Sequence, residues 1–429
     1  MALSAAIGLR NRLRALTKSG GYARDTLVNT LGLLAAAVLP ILALPLLSRI
    51  YGPEHFGIFG VFAALVGLGT IAATGRYEAA IILPSDNQEA VEIAAAGAAF
   101  SAFWIALLAI SVAIANNAGV QLVRDHTVLA YLAVATVLLS ALVQILLNLA
   151  IRTKLFLLSS IARTTGAVSN VSVSVGCGLA GQLELGLLLG MAAGYVASTA
   201  TLTVALPRHY RGATSLNVRS IRQQAWRYRN FPIFSLPSDF ANTLAANLPV
   251  LFFSAFFGTT ATGYLTMFQR IWAGSAILVQ GLGETFRQRA AQEMNETQAF
   301  RRTMRVTLVP LCAIAGLLFI ALTLFAPLLF ELVVGEEWKE AGIYAQILAP
   351  LVCLQFIASP ISWAFYIRQR LQLLMVWQWS LLLAFATVGT FGTTYLDERG
   401  TLMLLSGTGA ALYLVYSVMS VRLSRYQAG

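Results

Sequence analysis

Six ionisable residues, Arg76, Glu78, Arg163, Asp239, Arg270 and Glu284, fall inside apolar stretches long enough to cross a bilayer. They are the natural place to look for chemistry. A charged side chain at the bilayer centre costs about 2.5–3.5 kcal/mol on insertion scales, so it is kept for a partner or a task. If Arg76, Arg163 and Arg270 converge, they make a cationic, water-accessible cavity, and guanidinium groups match phosphate or pyrophosphate oxygens in a two-pronged geometry. Glu78, Asp239 and Glu284 would balance that charge or exchange a proton or cation. Arg76 and Glu78 stand two apart, so on a continuous helix they do not face each other and each is expected to pair elsewhere. At about 1.5 Å of rise per residue, Arg163 and Asp239 lie within snorkelling reach of the inner surface. Asn242, Asn247, Gln269 and Gln280 offer hydrogen bonds to sugar hydroxyls, or serve as interhelical glue.

Other chemistries lack their residues. Gly52 and Gly57 have P-loop spacing with no Lys-Ser/Thr pair after them, so they form no nucleotide cradle. No HExxH or GxSxG motif occurs, and His55, His126 and His209 lie far apart. Cys177, Cys312 and Cys353 are odd in number and unpaired in spacing, which suggests neither disulfides nor a metal site. The expectation is a transporter rather than an enzyme, with no metal, cofactor or nucleic-acid partner.

The elements that position these charges are membrane spans. At 58% hydrophobic and 11% charged residues, with mean hydropathy +0.74, the chain does not read as a water-soluble globule. About twelve spans are expected, near 26–48, 57–82, 91–115, 128–150, 158–180, 185–206, 233–257, 263–285, 304–328, 342–366, 372–393 and 401–421. Lipid offers no hydrogen-bond partners, so unbroken runs of roughly 20 apolar residues favour helices over barrel strands. The basic residues fall on alternate loops: Arg10 to Arg24, Arg152 and Lys154, Arg208 to Arg229, Arg287 to Arg305, Arg368 and Arg370, and Arg422 and Arg425. The opposite loops carry only Arg49, Arg124, Lys339 and Arg399. Lys and Arg mark the cytoplasmic side, so both termini are expected there, and the net charge of +11 also favours anionic lipid headgroups. The first apolar run is too long for a cleaved signal, and residues 3–16 could form a basic surface helix.

The hydrophilic stretch 207–232 divides the chain into two six-helix lobes, 26–206 and 233–421, flanked by a basic segment 1–25 and a tail 422–429. The glycines at 52 and 57 reappear at 258 and 263, a displacement of 206 residues that also carries Glu78 onto Glu284. Each lobe opens with a proline-broken helix, Pro40 and Pro45 in one and Pro237 and Pro249 in the other. An even number of helices per half makes the repeat parallel. Repeats with broken helices are the build of alternating-access transporters, with prolines as hinges and the substrate between halves.

The stretches LSRIYGPEHFGIFGVF (47–62) and GRYEAAIILPSDNQEAVEIA (75–94) resemble the N-terminal half of Wzx-type polysaccharide flippases. FPIFSLPSDFANTLAANLPVLFFSAFFGTTATGYLTMFQRI (231–271) is similar to the segment opening the C-terminal half of that family. Arg49, Tyr51, Gly52, Pro53, Phe56, Gly57, Tyr77 and Glu78, then Pro232, Pro249, Gly258, Gly263 and Arg270, match the family pattern, mostly at turn and packing positions. The resemblance implies the superfamily that also holds lipid II flippases and multidrug extruders. It also implies a function: moving an undecaprenyl-pyrophosphate-linked oligosaccharide across the inner membrane for O-antigen, capsule or exopolysaccharide assembly. Membrane lipids and a polysaccharide polymerase or chain-length regulator are the partners it implies. A multidrug or toxin extrusion antiporter, or another lipid-linked precursor flippase of the same fold, is the alternative. A membrane glycosyltransferase or polymerase is disfavoured, because the outward loops are about a dozen residues at most.

Overall fold

A computed structural model describes residues 32, 34, 36–119, 124, 126–206, 210 and 217–425, and among these no strand occurs. The basic segment 1–25, with its expected surface helix at 3–16, and the start of the first span lie outside the described residues. In chain order the helices are α1 (Leu44–Ile50), α2 (Pro53–Thr74), α3 (Tyr77–Ala80), α4 (Asn87–Asn117), α5 (Thr127–Arg152), α6 (Phe156–Leu179), α7 (Leu183–Ala205) and α8 (Val218–Arg227). A π-helical turn at Phe231–Ser235 leads into α9 (Leu236–Phe256), α10 (Gly258–Trp272), α11 (Ser275–Thr297) and α12 (Arg301–Val334). They are followed by α13 (Lys339–Ile361), α14 (Trp363–Ile367), α15 (Leu371–Tyr395) and α16 (Glu398–Arg425). The chain is an all-helical, multi-pass membrane protein.

Eight described helices are by themselves long and apolar enough to cross a membrane. The described parts of the remaining expected spans are helical but diluted or cut. Serines and threonines lower the hydropathy of α6, and the first span turns at Ala43 between Pro40 and Pro45, where Pro45 offers no N–H to the preceding turn. The seventh opens with the π-helical turn holding Pro232, and Pro237 and Pro249 sit within α9. The eighth is not the single helix expected at 263–285. It stops at Trp272, turns through Ala273 and Gly274, and resumes as α11, which runs on to Thr297.

The second span also departs from expectation. It does not continue to 82 but breaks after Thr74, where Gly75 and Arg76 take left-handed backbone angles, φ +56° and +61°. Such a conformation costs a non-glycine residue about 1–2 kcal/mol. Gly75 fits because a Cβ there would come within 2.8 Å of the Phe100 ring.

Contacts group the chain into two compact units. Among the described residues, the first holds those up to Pro40 with 69–174 and 188–236, and the second holds 41–68, 175–187 and 237–425. In the first, alanines 80, 90, 94, 150 and 162 interleave with Ile93, Val143, Ile145 and Leu202 in a fully covered core. Between α6 and α7 small residues let backbones touch: Ser198 donates to the Ala162 carbonyl at 2.9 Å, and any Cβ on Gly166 would strike the Ser198 hydroxyl. The linker helix α8 is fastened to this unit. Arg227 pairs with Glu89 at 2.5 Å, Gln224 donates to Glu92 at 3.3 Å, and the Tyr77 hydroxyl donates to the Ala225 carbonyl at 3.1 Å. Glu89 and burial together hold the Tyr228 hydroxyl above the usual tyrosine range, burial being the larger cause.

In the second unit Phe253, Tyr264, Trp338 and Tyr344 pack edge to face, joined by Phe56 of α2. Trp338 donates to the Ser48 carbonyl, while Ser48 donates to that of Val334 at 2.6 Å. Helix α12 leaves Leu317, Ile320, Leu324, Leu328 and Leu332 uncovered, an apolar surface suited to lipid.

The 206-residue displacement has a physical counterpart inside this unit. A Cβ on Gly57 would run into the Thr259 carbonyl, and one on Gly263 into the carbonyl of Pro53. The displacement relates Gly57 to Gly263 and Pro53 to Thr259, so the two contacts are copies of one another. Gly60 likewise abuts Thr266, its own counterpart. Helices α2 and α10 therefore cross about a local pseudo-two-fold axis, and the glycines exist to let the backbones meet there.

Candidate functional site

Arg270 lies in the last turn of α10, one turn beyond Thr266 and the α2 crossing. Its guanidinium carbon is 4.0 Å from the centroid of the Phe59 ring and 5.6 Å from that of Phe56. Both rings belong to α2, three residues apart and so on one face. Among the described residues no carboxylate lies within ion-pairing distance of Arg270. Two effects make the charge tolerable without an acid: the rings' electron-rich faces, and the negative end of α10 created where the helix stops before Gly274. Neither neutralises the charge. The site is a half-buried cation held against two aromatic rings.

Arg76 is different. Sequence spacing on a continuous helix predicts that Arg76 and Glu78 do not meet, yet they form an ion pair at 3.0 Å, with side-chain exposures of 32% and 7%. The break at Gly75 and Arg76 is the reason, since the left-handed residue swings the Arg76 side chain back over the first turn of α3. The second carboxylate oxygen of Glu78 is buried without a hydrogen bond.

Arg163, on α6 in the first unit, is half-buried, pairs with no carboxylate among the described residues, and keeps its Nε buried without a partner. Arg76 and Arg163 belong to the first unit and Arg270 to the second. Asp239, in the first turn of α9, acts electrostatically on Tyr366. Glu284, the counterpart of Glu78 by displacement, is exposed and pairs with Arg287 at 2.9 Å on its own helix, while Arg287 also covers the Trp363 ring. Asn247 spends its amide on the Thr243 carbonyl at 2.8 Å, whereas Asn242 and Gln280 are exposed and Gln269 is half-buried. No group of three or more metal-ligating side chains occurs among the described residues.

Two features of this geometry were not legible in the sequence. Phe59 carries no mark beyond its spacing from Phe56 on a glycine-rich helix. The linker arginines read as topology signals, but Arg219, Arg222 and Arg229 line one cavity of about 720 Å³ together with Tyr77 and Trp226.

Residues 46–343 match a family profile described as "Polysaccharide biosynthesis protein". No curated protein sequence matches the chain. Among solved structures, the lipid II flippase MurJ in an inward closed conformation aligns with TM-score 0.68 at 11% identity, covering 93% of this chain and 87% of that one. An inward-facing multidrug resistance MATE family transporter of the MOP superfamily aligns with TM-score 0.65 at 13% identity, over 93% of this chain and 96% of that one. The MATE multidrug transporter DinF-BH gives TM-score 0.60 at 13% identity, over 97% of this chain and 96% of that one. At such identities the likeness establishes the fold, which is that of these transporters.

Proposed function

Because the chain belongs to the polysaccharide biosynthesis protein family, we propose that it is a flippase that carries a polyprenyl-pyrophosphate-linked oligosaccharide from the cytoplasmic to the periplasmic leaflet of the inner membrane. The Arg270 guanidinium, framed by Phe56 and Phe59 within a membrane helix and paired with no carboxylate among the described residues, is the observation that carries this reading. A fixed cation held on aromatic rings suits a pyrophosphate, and suits poorly the cationic compounds that an extruder would bind. Both the family and the fold shared with a lipid II flippase support a lipid-linked precursor as cargo.

In this mechanism the lobes 26–206 and 233–421 open inward, with 207–232 joining them and both termini cytoplasmic. Arg76, Arg163 and Arg270 receive the pyrophosphate while the polyprenyl tail stays in lipid. Asn242, Gln269 and Gln280 contact sugars, Asn247 being occupied by its own helix. The lobes then rock outward about Pro40, Pro45, Pro237 and Pro249, and no covalent bond changes. Glu78 and Asp239 are the groups through which a cation or proton would bias the cycle. Moving one elementary charge through 100 mV supplies about 2.3 kcal/mol. O-antigen, capsule and exopolysaccharide units are the cargo class, with a polymerase or chain-length regulator receiving the product.

The test is a reconstituted assay in proteoliposomes with a fluorescent polyprenyl-pyrophosphate oligosaccharide on one side and a cationic dye on the other. Protein-dependent movement of the oligosaccharide lipid is expected. Dye transport without lipid movement would replace this reading with that of a multidrug extruder.

A further inference from the structure

Of the four arginines in the linker region 218–229, only Arg227 pairs with a carboxylate among the described residues, Glu89 at 2.5 Å. Arg219, Arg222 and Arg229 have none among the described residues, yet all three border the same cavity of about 720 Å³. A loop that needed only positive charge to stay cytoplasmic would not have to be fastened in place. Here Gln224, Arg227 and the Ala225 carbonyl fasten the helix to α4 and to Tyr77. Arg219 and Arg222 are three apart and Trp226 four further on, so they share a face of α8. Arg229 lies over the Trp226 ring at 4.2 Å, which orients the guanidinium while the indole stays 70% exposed. Three like charges gathered round one space repel each other unless an anion sits among them.

We propose that this cavity is a loading site for the glycosyl-pyrophosphate headgroup, used before the cargo enters the membrane-embedded path; this rests on the function proposed above. Two phosphates need several guanidinium donors, more than the single phosphodiester of a bilayer phospholipid engages. The indole face of Trp226 provides an apolar platform for a sugar ring beside the charge. The cavity wall includes Tyr77, whose neighbour Arg76 keeps 32% of its side chain exposed. Arg76 is therefore the next cation along the chain for a headgroup leaving the linker.

The experiment uses the full chain in nanodiscs and the probe farnesyl-pyrophosphate-linked N-acetylglucosamine, read by the part of the tryptophan fluorescence that Trp226→Phe removes. The parent signal is expected to saturate. Arg222→Gln raises the midpoint about tenfold, as loss of one charge-assisted contact predicts, and Arg219→Gln/Arg222→Gln/Arg229→Gln abolishes saturation. An unchanged midpoint in a folded Arg222→Gln and in the triple variant overturns the proposal. So does a signal that follows the phosphatidylglycerol content of the nanodisc and ignores the probe, which would make the cavity a seat for bilayer headgroups. If the parent flips lipid-linked oligosaccharide but the linker variants bind like the parent, only this inference falls. If the parent flips none, the proposed function falls.

Discussion

Arg76 and Arg270 pose the same physical problem, a guanidinium inside a membrane segment, and the molecule solves it in opposite ways. At Arg76 the helix breaks, and the left-handed residue folds its side chain onto Glu78, 3.0 Å away. At Arg270 the helix ends just beyond the residue, and the charge rests on Phe59 and Phe56 with no acid among the described residues. The first arrangement neutralises a charge with an acid; the second holds one on aromatic rings. An ion-paired arginine is thus a structural element before it is a ligand-binding one, whereas the aromatic-framed arginine has little structural reason to be charged.

The largest effect that would sharpen this contrast is on stability at the first site. Arg76→Ala leaves Glu78 buried and unpaired, and unfolding in detergent should show a loss of about 3 kcal/mol, the low end for a broken buried pair because Arg76 is partly open. Adding Glu78→Gln should recover most of the loss. Arg270→Gln is expected to be close to neutral in the same measurement, since an aromatic contact of about 2 kcal/mol is lost while an intramembrane charge of similar cost is removed. A destabilisation by Arg270→Gln as large as that of Arg76→Ala would erase the distinction.

Next comes the frame that holds Phe56 and Phe59 under Arg270. Gly57→Ala or Gly263→Ala drives a methyl group into a backbone carbonyl, and each is expected to cost about 1–3 kcal/mol. Gly52→Ala, where a Cβ meets nothing within 4 Å, should change stability by less than about 0.5 kcal/mol. Equal effects at all three positions would remove the crossing of α2 and α10 as the support of the Arg270 site.

The smallest effect concerns a carboxylate outside the membrane-spanning segments, a control for Glu78. Glu293 accepts the backbone N–H of Arg302 at 3.0 Å and of Thr303 at 2.8 Å. Burial raises its pKa, but the Thr303 and Arg302 hydrogen bonds and the Arg302 charge outweigh that and leave it below the usual carboxylate range. A depressed folded-state pKa gives stability that is complete above the unfolded value and lost as pH falls through the folded one. Glu293→Gln should therefore cost under about 1 kcal/mol at neutral pH, with the difference from the parent vanishing in acid. A difference that grows in acid would contradict the assignment.

Most of the fold was legible because hydropathy and length alone mark spans in lipid, and the glycine pair at 52 and 57 with its echo at 258 and 263 marked the place where α2 and α10 meet. The breaks were not. Gly75 sits in an apolar run like any helical glycine, and nothing local shows that Phe100 closes on it or that Arg76 takes a left-handed angle. That single conformation reversed the expected separation of Arg76 and Glu78. At Gly274 the same ambiguity hid the split of the eighth span. Arg270 was conspicuous as a charge in apolar surroundings, but its aromatic frame belongs to a helix some 210 residues earlier in the chain, beyond the reach of spacing arguments. The linker arginines were visible as charge and invisible as a cavity, because the cavity depends on α8 being fastened to α4.

The most direct test of the central claim, that Arg270 presents an unsatisfied charge to an anionic cargo, is the initial rate of oligosaccharide-lipid flipping by the parent, Arg270→Gln and Arg270→Lys at matched folded amounts. Loss of a charge-assisted contact predicts a fall of about tenfold to a hundredfold for Arg270→Gln, with partial activity for Arg270→Lys, which keeps the charge but not the two-pronged geometry. Parent-like flipping by a folded Arg270→Gln would contradict the claim and reduce Arg270 to a packing residue on Phe56 and Phe59.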